Sequence, residues 1–392
     1  FKLKTVLKVP NPTLLGKRLG FKVGELGPIS YTGDISGGPE NFGSEGAIRV
    51  GRTAFSGTLS GRIEGNRPVL TGKLTSPVFH FADFGLLPKA NPEQTDQSIQ
   101  AAEQRLFSGD PIRFDALGSF DLNLDLTLNK LEGVELAIDQ AEAQLKLENG
   151  LLQIEPLQFN FEGGSVLARL HADTRATEPS VGLRLEADDV ILGEVLAQIA
   201  VDVPVDGELD MVLDLKAAGA SPRALTSSLE GTWDMALSRG HIQTGLLDLS
   251  AVNLVDWMTS DTRLKGYSDL NCFVLRLDFN QGLGDIRKAL LDTTNVLAPA
   301  TGDIDLRRET VEIQVHPRSK KRRFIASTTP FAIKGPLMSP SIQTEGFKAR
   351  MIAEILLAPI HLLGSALLRF VDDGGTDTQN PCLVIQPGDA LE

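Results

Sequence analysis

The sequence predicts a mainly β protein built around an antiparallel sheet with one apolar face and one polar face. Three observations lead to this fold class. Apolar and polar residues alternate with period two in many segments, residue pairs that favour tight turns separate several of them, and helical periodicity is confined to a few stretches. Alternate side chains of a strand point to opposite faces, so one face of the predicted sheet is oily.

The clearest run of predicted strands starts at FDLNLDLTL, where four leucines share one face and Asp, Asn and Thr share the other. Further along, Asn149-Gly150 predicts a tight hairpin turn because both residues tolerate positive φ. Gly163-Gly164 predicts the next turn. Pro156 lacks the N–H group that a central strand needs, so it predicts an edge strand or a strand start. The run therefore predicts an antiparallel meander.

Alternation of the same kind recurs near the start of the chain, where Phe55, Leu59 and Ile63 share a phase, and again beyond residue 205. The segment GSFDLNLDL at Gly118 resembles GELDMVLDL at Gly207, and LKLENGLLQ resembles MALSRGHIQ at nearly the same spacing. A common spacing predicts a unit of several strands that is repeated along the chain.

Predicted helices are few. Ser221 is a suitable N-cap and Pro222 suits a first helical turn, which predicts a short helix there. A second short helix is predicted around Val195. The polar segment from Lys89 to Gln104 predicts a linker that leads into a helix.

A longer amphipathic helix is predicted from Phe347 to Val371, near the end of the chain. Its apolar stripe comprises Ile352, Leu356, Leu363, Leu367 and Phe370. Three interpretations remain open: a helix packed on the sheet edge, a helix that docks on a membrane interface or a partner, and a transmembrane helix interrupted by Glu354 and His361.

Composition limits the functional classes. The chain has 392 residues and a formal net charge of -13, so repulsion from phosphate backbones argues against a nucleic-acid partner. The five histidines show no paired ligand spacing, and no nucleophile elbow, phosphate loop or dinucleotide fingerprint occurs. We therefore expect no enzyme, no metal and no cofactor.

Two cysteines, Cys272 and Cys382, permit either one disulfide in an oxidising compartment or two buried free thiols. The chain starts at Phe1 rather than at Met, already in strand-like sequence. We interpret it as a fragment or a processed chain, which leaves open a missing N-terminal anchor.

Several segments, taken in their order along the chain, resemble the AsmA family of Gram-negative bacteria. They include GSFDLNLDLTLNKLEGVELAIDQAEAQLKLENG, DGELDMVLDLKAAGASPRALTSSLEGTWDMALSRGHI and ATGDIDLRRETVEIQVHPRSKK, with GPISYTGDISG in the first part. The resemblance implies an elongated, curved sheet of repeating β-groove units, as in bridge-like lipid transfer proteins. It also implies a periplasmic location, an inner-membrane anchor, and phospholipid movement between the inner and outer membranes in support of outer-membrane biogenesis. An outer-membrane or envelope protein is a further expected partner.

The resemblance also assigns roles to residues. It implies a Cys272–Cys382 disulfide and places acyl chains on the apolar phase of the strands. The lining residues implied in this way are Leu122, Leu124, Leu126, Leu145, Leu147, Leu152, Ile154, Leu157, Phe159, Phe161, Val166, Leu170, Leu209, Met211, Leu213, Trp233, Met235, Leu237, Phe273, Leu275 and Leu277.

Four segments follow from the pattern and the resemblance together. Residues 1–88 form a β-rich segment that continues from a missing part, residues 89–113 a polar linker and helix, residues 114–345 the repeating β-groove, and residues 346–392 the amphipathic helix and tail. The alternation alone favours a closed β-sandwich or solenoid whose sheets cover each other, and the family resemblance reverses this preference. Such a scaffold or docking module is the alternative to a lipid groove.

Overall fold

The structure, a computed structural model, describes residues 1–14, 26–38, 41–64, 67–84, 105–112, 114–132, 138–198, 205–243, 267–294, 296–320 and 330–344. The predicted linker from Lys89 to Gln104 and the predicted helix from Phe347 to Val371 lie outside these residues. So do Cys382 and the docking positions, which are Ile352, Leu356, Leu363, Leu367 and Phe370.

The predicted mainly β class is confirmed, with few short helices. The strands are β1 (Lys2–Val9), β2 (Ile29–Gly37), β3 (Asn41–Val50), β4 (Thr53–Glu64), β5 (Arg67–Ser76), β6 (Phe79–His80), β7 (Asp121–Glu132), β8 (Ile138–Glu148), β9 (Leu151–Phe161), β10 (Gly164–Asp173), β11 (Ser180–Ile191), β12 (Val205–Ala218), β13 (Glu230–Gln243), β14 (Tyr267–Asn280), β15 (Leu283–Thr293), β16 (Val296–Asp305), β17 (Thr310–Val315), β18 (Arg318–Ser319), β19 (Phe331–Pro336) and β20 (Ser341–Thr344).

Both short helices predicted from sequence are confirmed as α1 (Leu192–Gln198) and α2 (Pro222–Ser227). The hydroxyl of Ser221 accepts a hydrogen bond from the N–H of Ala224 at 3.2 Å, which is the expected N-cap contact. Two 3-10 turns, Phe81–Phe84 and Asp115–Gly118, are also present.

The chain divides into two compact units. The first comprises residues 1–94, 109–185 and 216–225, and the second comprises residues 95–108, 186–215 and 226–392. This division differs from the four predicted segments, because the first unit joins strands from both sides of the predicted linker. Strands β11 and β12 contribute residues to both units.

In the first unit, antiparallel pairs connect β1 through β5 in chain order, and antiparallel pairs connect β7 through β10. These two groups of strands are joined by a parallel pair between β5 and β7, and β6 also pairs with β7 in parallel. The sequence predicted antiparallel pairing only. The long stretch of chain between Ser76 and Asp121 explains the difference, since a connection of this length can return β7 to the same end of the sheet at which β5 starts.

The turns of the meander follow sequence closely. Asn149 and Gly150 have φ values of 48° and 82°, as the predicted hairpin requires. The next turn lies one residue earlier than predicted, at Glu162 and Gly163. The prediction for Pro156 was wrong. It lies inside β9 between two paired neighbours, where shifts of register on both sides form a bulge that tolerates the missing N–H.

A polar network holds the Asn149 turn. The Asp121 carboxylate accepts hydrogen bonds from the Asn149 N–H at 2.8 Å and from the Arg67 guanidinium at 2.5 Å. Arg67 also donates to the Asn149 side chain at 2.9 Å. Burial favours the neutral carboxyl, but the bonds from Asn149 and Arg67 outweigh it and hold the pKa of Asp121 below 3.8.

We expect Asp121→Asn to lower the free energy of unfolding by about 1 kcal/mol at neutral pH. Because the folded pKa is lowered, this contribution is complete above pH 3.8 and is lost as the pH falls through the folded pKa. Urea denaturation at pH 7 and near pH 3 should therefore show the difference from wild type shrinking in acid. Asp125→Asn is the control, since its pair with Lys73 is exposed and should contribute little. A difference that persists unchanged in acid would contradict the assignment.

In the second unit, antiparallel pairs connect β13, β14, β15, β16, β17, β19 and β20 in that order, and β18 pairs with β16. The predicted similarity of LKLENGLLQ and MALSRGHIQ does not extend to structure. The first segment forms a strand, a turn and a strand, whereas the second lies within β13. Gly240 sits there because a Cβ atom would lie 1.8 Å from the Asp206 carbonyl oxygen.

Candidate functional site

One face of the first unit's sheet carries an unbroken row of uncharged residues. Consecutive register pairs link this apolar row from one strand to the next, across nine strands. Its members are Leu3, Ile35, Ser44, Leu59, Gly72, Leu124, Leu145, Ile154 and Leu170. We call the side of the sheet that bears this row the apolar face.

The opposite side differs sharply. The register pairs one residue further along each strand link a polar row, whose members are Lys4, Asp34, Glu45, Thr58, Lys73, Asp125 and Gln144. This polar row faces water, and Lys73 and Asp125 form an exposed ion pair at 2.8 Å. The sheet of the first unit therefore has the one wet and one oily face that sequence predicts.

The apolar face is only partly covered by protein. The twelve lining positions predicted between Leu122 and Leu170 all lie on it, and ten of them are half-buried, whereas Leu147 and Val166 are buried. Toward one end of the strands, Leu3, Phe42 and Ile63 on the same face are 57%, 38% and 60% exposed. Their contact with lipid stays a prediction. The face itself is an extended apolar surface of the kind that marks a binding site.

Its chemistry limits what can bind. The backbone N–H and C=O groups of the strands are paired with neighbouring strands, so they cannot serve a ligand above the face. The apolar row contributes one hydroxyl, that of Ser44, which already donates to the Leu59 carbonyl at 3.1 Å. A peptide laid here would leave its own polar groups unsatisfied, whereas a hydrocarbon chain would not.

At the other end of the strands, a short segment folds onto the apolar face. This segment, the aromatic cap, comprises β6 and the 3-10 turn, residues 79–84. The rings of Phe79 and Phe84 stack with centroids 4.7 Å apart, and Phe81 meets Phe79 edge to face at 5.2 Å. Phe55 of β4 lies beneath them and contacts both Phe79 and Phe84 edge to face. The cap therefore covers this end of the face with aromatic rings.

A buried carboxylate fastens the aromatic cap. One oxygen of Asp83 accepts hydrogen bonds from the N–H groups of Arg52 and Thr53 and from the Thr53 hydroxyl, each at 2.9 Å. The Thr53 hydroxyl in turn accepts from the His80 N–H at 2.9 Å, and the Asp83 carbonyl accepts from Gly27 at 2.8 Å. These bonds to a charged acceptor fix both ends of the cap to the start of β4.

A second contact joins the cap to β7. The Nε2 atom of His80 lies 3.2 Å from Glu132, and its Nδ1 atom lies 3.9 Å from Asp83. Hydrogen bonding and charge from Lys130 lower the pKa of Glu132. Across the described part of the chain, no group of three or more His, Cys, Asp or Glu side chains is arranged to hold a metal ion, and this cluster is no exception.

Sequence reasoning missed the aromatic cap. The signal was present in VFHFADF, where three phenylalanines fall within six residues and an aspartate precedes the last. Pattern alone does not show that such a segment folds back, because the Arg52 and Thr53 groups that donate to Asp83 lie far upstream.

The corresponding face of the second unit is closed along β14. Phe273, Leu275 and Leu277 of β14 are 6%, 0% and 0% exposed, and they belong to a core cluster with the apolar residues of β15, β16 and β17. Among the predicted lining positions, Leu237 is also buried, while Leu209, Met211, Leu213, Trp233 and Met235 are half-buried. Lipid contact at these positions stays a prediction, and the buried ones have protein neighbours on every side.

Two further predicted features concern this unit and the membrane. Cys272 is buried on β14 and is disulfide-bonded, while its expected partner Cys382 lies outside the described residues. Within the described ranges, no helix is long and apolar enough to cross a membrane.

The fold and the apolar face together define a mainly β protein with an extended hydrophobic sheet surface. A sequence model of the AsmA family matches residues 41–289, which is more than half of the chain. The chain belongs to the AsmA family. It is 22% identical over 352 residues to the AsmA family protein YhjG of Escherichia coli (strain K12), a match that covers 86% of this chain and 51% of that protein. The chain thus spans about half of the length of this curated relative. No solved structure matches significantly.

Proposed function

We propose that this protein binds the acyl chains of phospholipids on the apolar face of its first unit and transfers them between the inner and outer membranes. The observation that carries the proposal is the apolar row, which crosses nine strands without a charged residue and is only half-buried at most positions. Membership in a family that resembles bridge-like lipid transfer proteins supports it.

Continuity of the face is what lipid movement requires. Each buried CH₂ group of an acyl chain contributes about 0.8 kcal/mol, so a gap or a charge along the path would trap or repel the chain. Leu124, Leu145 and Ile154 lie side by side on consecutive strands, so a chain can shift from one strand to the next at nearly constant free energy. Transfer on such a surface is passive exchange, with no covalent step, metal or cofactor.

The cellular setting is also a proposal. It places the apolar face in the periplasm, with the whole protein anchored in the inner membrane and an outer-membrane or envelope protein receiving the lipid. Support for outer-membrane biogenesis follows from that arrangement. The net charge of -13 is consistent with a protein that does not bind nucleic acid.

Photocrosslinking at neighbouring residues tests the lipid site. Phe159 lies on the apolar face and Asn160 on the polar face of the same strand. We expect p-benzoylphenylalanine in place of Phe159 to crosslink to phospholipid from vesicles of phosphatidylethanolamine and phosphatidylglycerol, because the probe then touches the acyl chain. The same probe in place of Asn160 is the matched control and should give no crosslink. Mass spectrometry of the irradiated protein identifies the adduct, and equal results at both positions would refute the site.

A second candidate function, a closed scaffold or docking module of the envelope, is favoured by the sealed core of the second unit. There Leu275 and Leu277 have no exposed surface to offer a lipid. If folded wild-type protein yields no phospholipid on extraction and no crosslink at position 159, this second function replaces the first.

A further inference from the structure

We propose that the aromatic cap is part of the lipid site, with Phe81 and Phe84 forming a wall against which the acyl chain on the apolar face rests. The inference rests on the proposed function and goes beyond it, because it adds residues outside the strands to the site. The cap would also form one side of the path along which the acyl chain lies.

The first support is position. The cap packs into one apolar cluster with Leu128, Leu131 and Phe159, and Phe159 belongs to the apolar face. An acyl chain that lies on the apolar face at β9 therefore reaches the cap cluster without crossing any polar residue of that face.

The second support is incomplete burial. Phe55 beneath the cap is 7% exposed, whereas Phe79, Phe81 and Phe84 are all half-buried. Aromatic rings of this size contribute most when they are covered, so three neighbouring rings with remaining exposure leave apolar surface that an acyl chain can cover.

The third support is the way in which the cap is held. The hydrogen bonds from Arg52 and Thr53 to Asp83 satisfy the cap's own carboxylate, while its three rings stay half-buried. Fixing the cap through a buried carboxylate keeps these rings in one place, which lowers the entropy that a ligand loses on binding.

The occupant follows from the chemistry. The surface that joins the face to the cap consists of Phe, Leu and Ile side chains, with His80 turned toward Glu132. It therefore offers hydrocarbon contact and no partner for a peptide backbone or a headgroup. A phospholipid acyl chain fits these requirements, while its headgroup remains in water.

The test places p-benzoylphenylalanine at position 81 in the full chain, with the probe at 159 as the positive control and at 160 as the negative control. Vesicles of phosphatidylethanolamine and phosphatidylglycerol supply the lipid. We expect adducts at 81 with a yield comparable to 159 and none at 160. Position 84 repeats the test if the probe at 81 lowers the melting temperature.

The outcomes separate the two proposals. Adducts at 159 with none at 81 or 84 would overturn the role of the cap and leave the lipid site intact. Adducts at none of the three positions would overturn the proposed function itself.

Discussion

Leu275→Ala is expected to lower the free energy of unfolding by about 3 kcal/mol. Leu275 has 0% exposure in the core of the second unit, so its removal leaves a cavity that neighbouring strands cannot fill. Leu124→Ala in the first unit should cost about 1 kcal/mol, because the side chain is half-buried and less protein contact is lost. Urea denaturation of both variants measures the difference.

The same two variants separate a core from a lipid surface. Leu124→Ala should reduce the phospholipid crosslink at position 159, since Leu124 belongs to the apolar row. Leu275→Ala should leave that crosslink unchanged under conditions in which the protein is folded. The opposite result is that Leu124→Ala is as destabilising as Leu275→Ala and binds lipid normally. That result would mean that the apolar face is a sealed core, and it would support the scaffold function.

The contrast between Leu124 and Leu275 shows which properties of a residue can be predicted from the sequence. Period-two alternation correctly assigns Leu124 and Leu275 to the apolar sides of their strands, because the side-chain direction depends only on the local backbone. It does not separate a half-buried position from a fully buried one. That property depends on what packs above the strand, and the residues above it come from distant parts of the chain.

The features that the sequence did not predict correctly also depend on contacts between distant parts of the chain. Pro156 signals a missing N–H group, but only the bulges against β8 and β10 show that a central strand accommodates it. The parallel pairing of β5 and β7 depends on the path of the long connection between them. By contrast, the Asn149-Gly150 turn and the Ser221 cap were predictable, since each is determined by a few consecutive residues.

Part of the candidate site could be predicted from the sequence and part could not. Its strand residues, such as Phe159, followed from alternation and from the family resemblance. Its cap did not, because Asp83 finds its partners at Arg52 and Thr53, about thirty residues upstream. A buried acceptor of backbone N–H groups has no periodic signature, and only the folded chain brings these groups together.

Asp83→Ala is expected to release the aromatic cap and to lower the free energy of unfolding by about 3 kcal/mol. The substitution leaves the N–H groups of Arg52 and Thr53 and the Thr53 hydroxyl without their acceptor in a partly buried place. Asp83→Asn should cost less, because the amide oxygen can still accept from the backbone. Hydrogen exchange at residues 79–84 should quicken far more than in the Asn149 turn, which has its own network.

A double-mutant cycle with Thr53→Val identifies the source of the effect. The Thr53 hydroxyl donates to Asp83 and accepts from His80, so the two substitutions should be strongly non-additive. In the lipid assay, releasing the cap should abolish the crosslink at position 81 and leave position 159 reactive, since Phe159 lies on β9, which is held by its pairing with β8 and β10. Additive losses, with exchange at 79–84 unchanged, would mean that Asp83 stabilises the start of β4 alone and that the cap is held by its rings.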